Sequence, residues 1–152
     1  MYKILCIGKI KEKFLVDGIN EYKKRIEGFS KIEIVELKEY NTPDISKNIE
    51  NEGLEILNKI TKAEYVITLE ILGKKIDSVA FSKHLENILN YHSSKITFVI
   101  GGSNGLSDMV KNRSNYKLSF SDMTFPHQLM RLILTEQLYR AITITNNKEY
   151  HK

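Results

Sequence analysis

The sequence contains little cysteine, and it has no hydrophobic run long enough to cross a bilayer. The single cysteine, Cys6, excludes an internal disulfide and fits a reducing compartment. Cys6 lies in an apolar strand pattern, so we expect it to be buried rather than reactive. The apolar part of the start, MYKILCIGKI, is too short for a signal peptide. We therefore expect a soluble, cytosolic protein.

Two common ligand-binding motifs are also missing. No Gly-Lys-Ser or Gly-Lys-Thr follows a glycine-rich loop, which excludes a phosphate-binding P-loop. No cluster of Cys, His and acidic residues has zinc spacing, so no metal is expected. His84 and His92 lie on or just after a predicted amphipathic helix, and we expect both on the surface.

Charge is unevenly distributed, although the net charge of the chain is only +4. Residues 1–31 and 95–152 each carry +4, whereas residues 32–60 carry −4 and residues 61–94 are neutral. Two basic segments around an acidic one are consistent with a surface that faces phosphate. For charge runs in general, a solvated face is the more frequent explanation.

Strand and helix patterns alternate along the whole chain. The predicted strands are 2–8, 31–38, 63–70, 96–100 and 116–120; the predicted helices are 11–27, 45–60, one starting at Asp77 or Ser78, 107–113 and 126–145. Strand 31–38 is predicted to have one solvent-facing side, and residues 72–75 form an exit loop. This order implies a single α/β domain, residues 1–152, whose mostly parallel sheet has helices on both faces.

The most informative stretch is KITFVIGGSNGL, residues 95–106, in which a buried strand leads into a glycine-rich loop. Open α/β folds bind ligands at such strand exits, although a simple tight turn explains one glycine loop equally well. Two more exits, 69–73 and 121–125, are expected at the same sheet edge. Together they supply the apolar walls and backbone groups that an adenosine-type ligand requires.

A dinucleotide site is the main alternative at this edge. Asp122 follows Gly101 by 21 residues, a spacing that suits a ribose-binding acid in a nicotinamide-dependent oxidoreductase. However, the loop reads G-G-x-x-G and follows the fourth strand instead of the first. Only one strand remains after it, which is too few for the second half of such a site.

The last predicted helix is apolar around most of its circumference between Leu129 and Ile142. Such a helix must be covered on more than one side, and in a chain of this size a second copy of the protein is a plausible cover. The alternative is a central helix in the core of the monomer. His127 and Arg131 are one turn apart on this helix and form either a carboxylate-binding pair or a polar helix start.

Several segments resemble the ribosomal RNA large-subunit pseudouridine N3-methyltransferases, which belong to the SPOUT superfamily. The resemblance is carried by CIGKIKEKF, EYKKRI, VITLEILGKKI, FVIGGSNGL, LSFSDMTFPHQLMRLILTEQLYRA and the terminal YHK, and it extends over the whole chain. It implies an α/β fold with a C-terminal trefoil knot, although knots are rare. It also implies a homodimer that packs through the knot region.

The resemblance further implies a cofactor, a substrate and a set of site residues. The cofactor is S-adenosylmethionine, and the substrate is a pseudouridine in helix 69 of 23S rRNA within the assembled ribosome. The residues expected to hold the cofactor are Leu69, Gly101, Phe120, Ser121, Asp122, Met123, Thr124 and Phe125. A non-catalytic ribosome-binding factor on the same fold remains an alternative.

On this resemblance, Arg140 and the C-terminal tail are expected to supply the chemistry; without it, a disordered tail and an ordinary helix arginine would be the simpler interpretation. His151 is the candidate proton acceptor, because histidine takes up a proton near neutral pH. Arg140 and Lys152 are candidates for holding RNA phosphate or stabilising an anion, and Tyr150 for stacking on a base. Because residues 146–152 are polar and terminal, we expect a tail that is mobile until RNA binds. Many relatives have Gly-Glu-Pro where this chain has residues 147–149, and Arg where it has Lys152.

Overall fold

The computed structural model describes residues 1–152 and contains five strands and five helices that alternate along the chain. The strands are β1 (Tyr2–Ile7), β2 (Ile32–Leu37), β3 (Tyr65–Lys75), β4 (Ile96–Ile100) and β5 (Tyr116–Ser119). The helices are α1 (Lys13–Glu27), α2 (Ile45–Leu57), α3 (Ser78–Tyr91), α4 (Asp108–Arg113) and α5 (His127–Thr145). The predicted α/β order is confirmed. None of the five helices combines the length and apolar character needed to span a bilayer.

Three helices begin at a residue whose side chain accepts a hydrogen bond from the first turn. Asp44 accepts from the Lys47 amide at 3.1 Å, and Asp77 accepts from the Ala80 amide at 2.7 Å. Ser107 caps α4 in the same way, through the Val110 amide. These caps satisfy amides that have no partner inside the helix, and they explain why the helices start where they do.

The five strands form one parallel sheet in the order β2-β1-β4-β3-β5. Every strand therefore ends at the same sheet edge, which we call the carboxyl edge. We call the opposite edge the amino edge. Helices that follow the strands begin near the carboxyl edge. The predicted parallel sheet is confirmed, and the exits of β3, β4 and β5 lie side by side.

Hydrophobic cores cover both faces of the sheet. One core contains Ile4 and Phe98 and receives α1, α3 and α5; the other contains Leu5 and Val99 and receives α2 and α4. Alternating residues of β1 and β4 point to opposite faces, as the two-residue period of a strand requires. Cys6 is fully buried in the first core, as predicted, and burial raises the pKa of its thiol to about 12.

Strand β3 is longer than predicted, since residues 72–75 belong to it and are not a loop. Its pairing with β5 is interrupted between Leu69 and Lys74, and it resumes with Lys74 opposite Leu118. At Gly73 a Cβ atom would lie 2.8 Å from backbone atoms of β5, so only glycine permits this close approach. The bulge turns Ile71 and Leu72 outward at the carboxyl edge, where Leu72 is 98% exposed.

Two predictions of solvent exposure were wrong. Strand β2 has no fully solvent-facing side, because Ile34 packs against one core and Val35 against the other. His84 is half-buried, and its ring centroid lies 4.3 Å from that of Tyr116. Its Nε2 atom is buried without a partner. Burial, followed by the charges of Lys74 and His92, lowers the pKa of His84, so this side chain is neutral at pH 7.

Helix α5 packs between α1 and α3 on one face of the sheet. The contact with α1 is close, because a Cβ atom on Gly18 would lie 3.0 Å from a methyl group of Leu132. The side chains of Leu134 and Leu138 are fully buried, whereas those of Leu129 and Ile133 remain half-exposed. The monomer core therefore covers part of the apolar circumference and leaves part of it accessible.

Candidate cofactor site and C-terminal tail

A cavity of about 680 Å³ opens at the carboxyl edge, where β3, β4 and β5 end and α5 begins. Its volume lies in the range of pockets that bind small molecules and cofactors. Its lining includes residues of all three predicted strand exits: Leu69, Glu70, Ile71, Leu72, Gly101, Gly102, Ser103, Gly105, Ser121, Met123, Thr124 and Phe125. The exits that the sequence grouped together thus form one concave site.

The glycine-rich loop is shaped by its own packing. Gly105 has a φ of +85°, and its amide donates to the Gly102 carbonyl at 3.1 Å, closing a tight turn. A Cβ atom on Gly101 would lie 3.1 Å from the backbone of Gly105. A side chain at Gly101 would crowd Gly105, so glycine favours the close approach of the two ends of this loop. The folded loop then presents its backbone to the cavity.

The exit of β5 is also well ordered by local hydrogen bonds. The Ser119 hydroxyl donates to the Ser121 carbonyl at 3.1 Å. The Ser121 hydroxyl accepts from the Met123 amide at 3.0 Å. These two bonds turn the chain sharply, so that Thr124 and Phe125 reach the cavity wall before α5 starts.

His127 and Arg131, predicted as a possible pair, have separate environments. His127 lines the cavity at the first turn of α5. Arg131 is only 2% exposed and is directed away from the cavity toward Glu36, with 2.7 Å between Nη1 and Oε2. Its Nη2 donates to the Gly8 carbonyl at 3.1 Å. Arg131 is therefore unavailable to a ligand carboxylate, and no local pattern in the sequence indicates its distant partners.

The C-terminal tail folds back on α5 and α1, which differs from the predicted mobile tail. The turn is made at Asn147, which has a φ of +53°, and the Lys148 amide donates to the Thr143 carbonyl. The Tyr150 ring then packs edge-on against Tyr139, with 4.8 Å between centroids. This docking could not be predicted from the local sequence, because the tail contacts residues of α5 and α1 and not its own segment.

Three of the four residues expected to act in catalysis meet in this docked tail. The Tyr150 hydroxyl donates to Glu136 at 3.0 Å and lies 3.3 Å from the Tyr22 hydroxyl. Arg140 donates twice to the same Glu136 oxygen, at 3.0 and 2.6 Å. His151 Nδ1 lies 3.2 Å from Arg140 Nη1. Lys152, the fourth residue, is exposed.

The contacts of the docked tail affect the protonation of Tyr150 and the hydrogen bonding of His151. Burial and the hydrogen bonds with Tyr22 and Glu136 raise the pKa of Tyr150, so its phenol stays protonated at neutral pH. The Arg140 guanidinium always donates, so Nδ1 of His151 is the acceptor in their contact. The nitrogen of His151 that is able to take up a proton is thus already engaged by Arg140.

The tail and the cavity lie apart within one chain. Met130 lines the cavity, and Arg140 lies ten residues further along α5. At 1.5 Å per residue these two positions are about 15 Å apart along the helix. The predicted cofactor residues and the predicted catalytic residues therefore form two separate groups in the single chain.

The whole-chain comparison decides the family. Residues 1–151 match the family model described as "Predicted SPOUT methyltransferase". The chain belongs to the SPOUT methyltransferase family. The resemblance stated from the sequence motifs is thereby confirmed.

SPOUT relatives match over nearly their whole length. A "Ribosomal RNA large subunit methyltransferase H" from Fusobacterium nucleatum is 55% identical over 98% of this chain and 97% of its own. A protein of the same name from Streptococcus pneumoniae is 51% identical over 99% of this chain and 98% of its own.

Solved structures support the SPOUT methyltransferase fold. A Haemophilus influenzae structure described as "a probable methylase family protein" aligns with a TM-score of 0.57, covering 99% of this chain and 70% of its own, at 14% identity. A "Probable Methyltransferase from Bordetella pertussis" aligns with a TM-score of 0.55, covering 93% of this chain and 95% of its own, at 12% identity. At these identities the likeness concerns the fold alone. The trefoil knot is a question of chain threading, and it stays a prediction.

The cavity at the carboxyl edge is lined by seven of the eight residues predicted to hold the cofactor. Their binding role stays a prediction. Asp122 is the exception: its side chain is 82% exposed and is paired with Lys75 outside the cavity lining. The oxidoreductase alternative depended on this acid at the cavity, and the structure removes that support.

Sequence reasoning gave no role to two charged side chains of the cavity: Glu70, which lies within the predicted exit 69–73, and Lys111, which lies outside all three exits. Glu70 is oriented by the Thr68 hydroxyl, which donates to its carboxylate at 2.6 Å. Lys111 approaches from α4, on the far side of the glycine-rich loop. His127 was named in the sequence analysis, but only as one half of a possible pair with Arg131.

Proposed function

We propose that this protein is an S-adenosylmethionine-dependent methyltransferase of the cytoplasm that modifies large-subunit ribosomal RNA. The proposed acceptor is N3 of a pseudouridine in helix 69 of 23S rRNA, within the assembled ribosome. Family membership and the names of the two relatives support this reaction class. The observation that carries the proposal is the single cavity formed by three strand exits at the carboxyl edge.

The residues of the cavity fit the proposed cofactor. Leu69, Leu106 and Phe125 offer apolar surface for an adenine ring. The glycine-rich loop offers backbone groups for its polar edge, and the volume of about 680 Å³ accommodates a ligand of this size. The Glu70 carboxylate suits a positively charged ligand.

The proposed reaction requires alignment and the removal of one proton. When bound, S-adenosylmethionine supplies a methyl group on a positively charged sulfur. The cavity residues would hold the cofactor, and alignment of the acceptor nitrogen with its methyl group would contribute to the rate enhancement. His151 takes the proton from N3 after substrate binding replaces the Arg140 contact of its Nδ1, and Arg140 and Lys152 stabilise the resulting negative charge or hold a phosphate. Tyr150 stacks on a base.

We further propose that the enzyme works as a homodimer. Within one chain the tail and the cavity are about 15 Å apart along α5, and Leu129 and Ile133 on the same helix remain half-exposed. A second copy would cover these side chains, contributing on the order of 25 cal/mol per Å² of apolar area before association costs are subtracted. Sedimentation at low micromolar concentration should show twice the chain mass, whereas a compact monomer would contradict the proposal.

A methyl-transfer assay tests the proposed function directly. Purified protein is incubated with labelled S-adenosylmethionine and with ribosomes that lack the modification. We expect label at one pseudouridine of helix 69 and none on ribosomes that already carry it. Binding to ribosomes without transfer would identify a non-catalytic factor instead. Tight binding of NADH in place of S-adenosylmethionine would support the oxidoreductase alternative.

The Met130→Ala variant should lose about tenfold in affinity for S-adenosylmethionine. Met130 forms part of the apolar cavity wall, and removing its buried surface costs on the order of 1.4 kcal/mol. Isothermal titration calorimetry measures the change. Met109→Ala is the matched control, because Met109 is 46% exposed on α4 and does not line the cavity. Equal affinities for the two variants would place the cofactor elsewhere.

A further inference from the structure

The segment between β1 and α1 carries side chains for which the fold provides no partner. Lys9 and Lys11 are exposed, and neither takes part in an ion pair. Phe14, in the first turn of α1, is 70% exposed. Two unpaired cations beside an exposed aromatic ring form a surface that we call the basic-aromatic patch. Of its neighbours, Glu12 is exposed and Lys13 is paired with Asp17.

The backbone beneath this patch is held firmly. Gly8 turns the chain with a φ of +85°, and its amide donates to the Leu37 carbonyl at 2.8 Å. The buried Arg131 donates to the Gly8 carbonyl, and the Ile10 amide donates to Glu36 at 3.0 Å. Because Arg131 also pairs with Glu36, one ion pair fixes the backbone of this short loop at Gly8 and at Ile10. A loop fixed in advance loses little entropy when it binds a partner.

The patch lies on the cavity side of the molecule. Strand β1 pairs with β4 in parallel, with Cys6 opposite Ile100, so their exits are neighbours. Helices α1 and α5 run in the same direction, since Gly18 contacts Leu132 and Tyr22 packs against Tyr139. Phe14 lies one turn before Gly18, and it is therefore near the first turn of α5.

We infer that Lys9, Lys11 and Phe14 form a contact site for single-stranded RNA beside the modified nucleotide. The inference rests on the proposed function, since it concerns the substrate of the same site. An unpaired base stacks on the Phe14 ring, and the two lysines neutralise the flanking phosphates. The ring tolerates any base, so the site contributes affinity and orientation instead of sequence selection.

Two variants test the patch against a charge-matched control. They are Phe14→Ala and the double variant Lys9→Ala/Lys11→Ala. The control is Lys31→Ala/Lys62→Ala, which removes two exposed, unpaired lysines at the amino edge, on the opposite side of the sheet. The probe is a fluorescein-labelled single-stranded RNA 12-mer, followed by fluorescence anisotropy between 50 and 200 mM salt.

Phe14→Ala should weaken RNA binding roughly tenfold. The double lysine variant should flatten the dependence of log K on log salt by about 1.4, the value for two phosphates of a single strand. The control should behave as the wild type. In the methyl-transfer assay, the same two patch variants should raise KM for ribosomes and leave S-adenosylmethionine affinity unchanged.

Three results would overturn the inference. The first is wild-type RNA binding and KM in both patch variants. The second is an equal loss of binding in the amino-edge control, which would indicate only general charge attraction. The third is a Phe14→Ala protein that sediments as a monomer, since Phe14 would then be a subunit contact. Absence of methyl transfer by the wild type would refute the proposed function. The 12-mer assay would still test whether the basic-aromatic patch binds RNA.

Discussion

Deletion of Tyr150, His151 and Lys152 should reduce methyl transfer to ribosomes by at least about a hundredfold, the usual contribution of a positioned proton acceptor. The deletion removes the candidate base and one candidate cation, but it leaves the cavity intact. Affinity for S-adenosylmethionine, measured by calorimetry, should therefore stay the same. The dimer should also persist in sedimentation, because α5 is unchanged.

The docked position of the tail adds a cost that the sequence did not predict. Tyr150 packs against Tyr139 and donates to Glu136, so the deletion should also lower the free energy of unfolding by about 1 kcal/mol. The single variant His151→Ala separates the two effects. His151 is exposed, and its contact is with Arg140, so its loss should impair transfer without changing the melting temperature.

Lys148→Ala is the matched control within the same tail. Lys148 is exposed, and only its backbone amide makes a hydrogen bond. This variant should transfer methyl groups at the wild-type rate. A His151→Ala protein that is equally active would eliminate His151 as the base and leave Arg140 and the cavity residues to explain the reaction.

Glu64→Gln should destabilise the protein by about 3 kcal/mol at pH 7, because it leaves a buried lysine without its counter-ion. Lys3 and Glu64 are each 5% exposed at the amino edge, and Lys3 Nζ lies 2.8 Å from the carboxylate. The carboxylate also accepts from the buried Thr97 hydroxyl, and Lys3 donates to the Lys59 carbonyl. Thermal unfolding should show a melting temperature roughly 10 °C lower.

The effect should depend on pH in one direction. Burial alone would raise the pKa of Glu64, but hydrogen bonds from Lys3 and Thr97 and the charge of Lys3 bring it below the ordinary value of 4.5. The stability from this group is therefore complete above pH 4.5, and it is lost as the pH falls through the lower folded-state pKa. Because glutamine does not titrate, the difference between variant and wild type should narrow in acid.

The double variant Lys3→Met/Glu64→Gln serves as the control. Replacing both partners removes the unpaired charge, so the double variant should be more stable than Glu64→Gln alone. A single variant that costs less than 1 kcal/mol, or a gap that widens in acid, would show that the pair contributes little.

The order of elements, the parallel sheet and the three strand exits that meet at the cavity could all be predicted from the amino-acid sequence alone. These features follow from local signals: the spacing of apolar residues, the caps at Asp44 and Asp77, and the glycine-rich loop after Ile100. The pattern of a strand followed by a glycine-rich loop can be recognised from local residues, without knowing where the rest of the chain lies. The family resemblance added the residues of the site, because it compares whole segments instead of single positions.

Which polar side chains line the cavity and which are paired elsewhere could not be predicted from the amino-acid sequence. Asp122 and Arg131 both looked available in the sequence, yet one pairs with Lys75 and the other with Glu36. Arg131 and Glu36 are 95 residues apart, and their contact depends on how α5 lies against the exits of β1 and β2. Local patterns contain no information about such pairings, because the free energy that selects them arises from packing between distant elements.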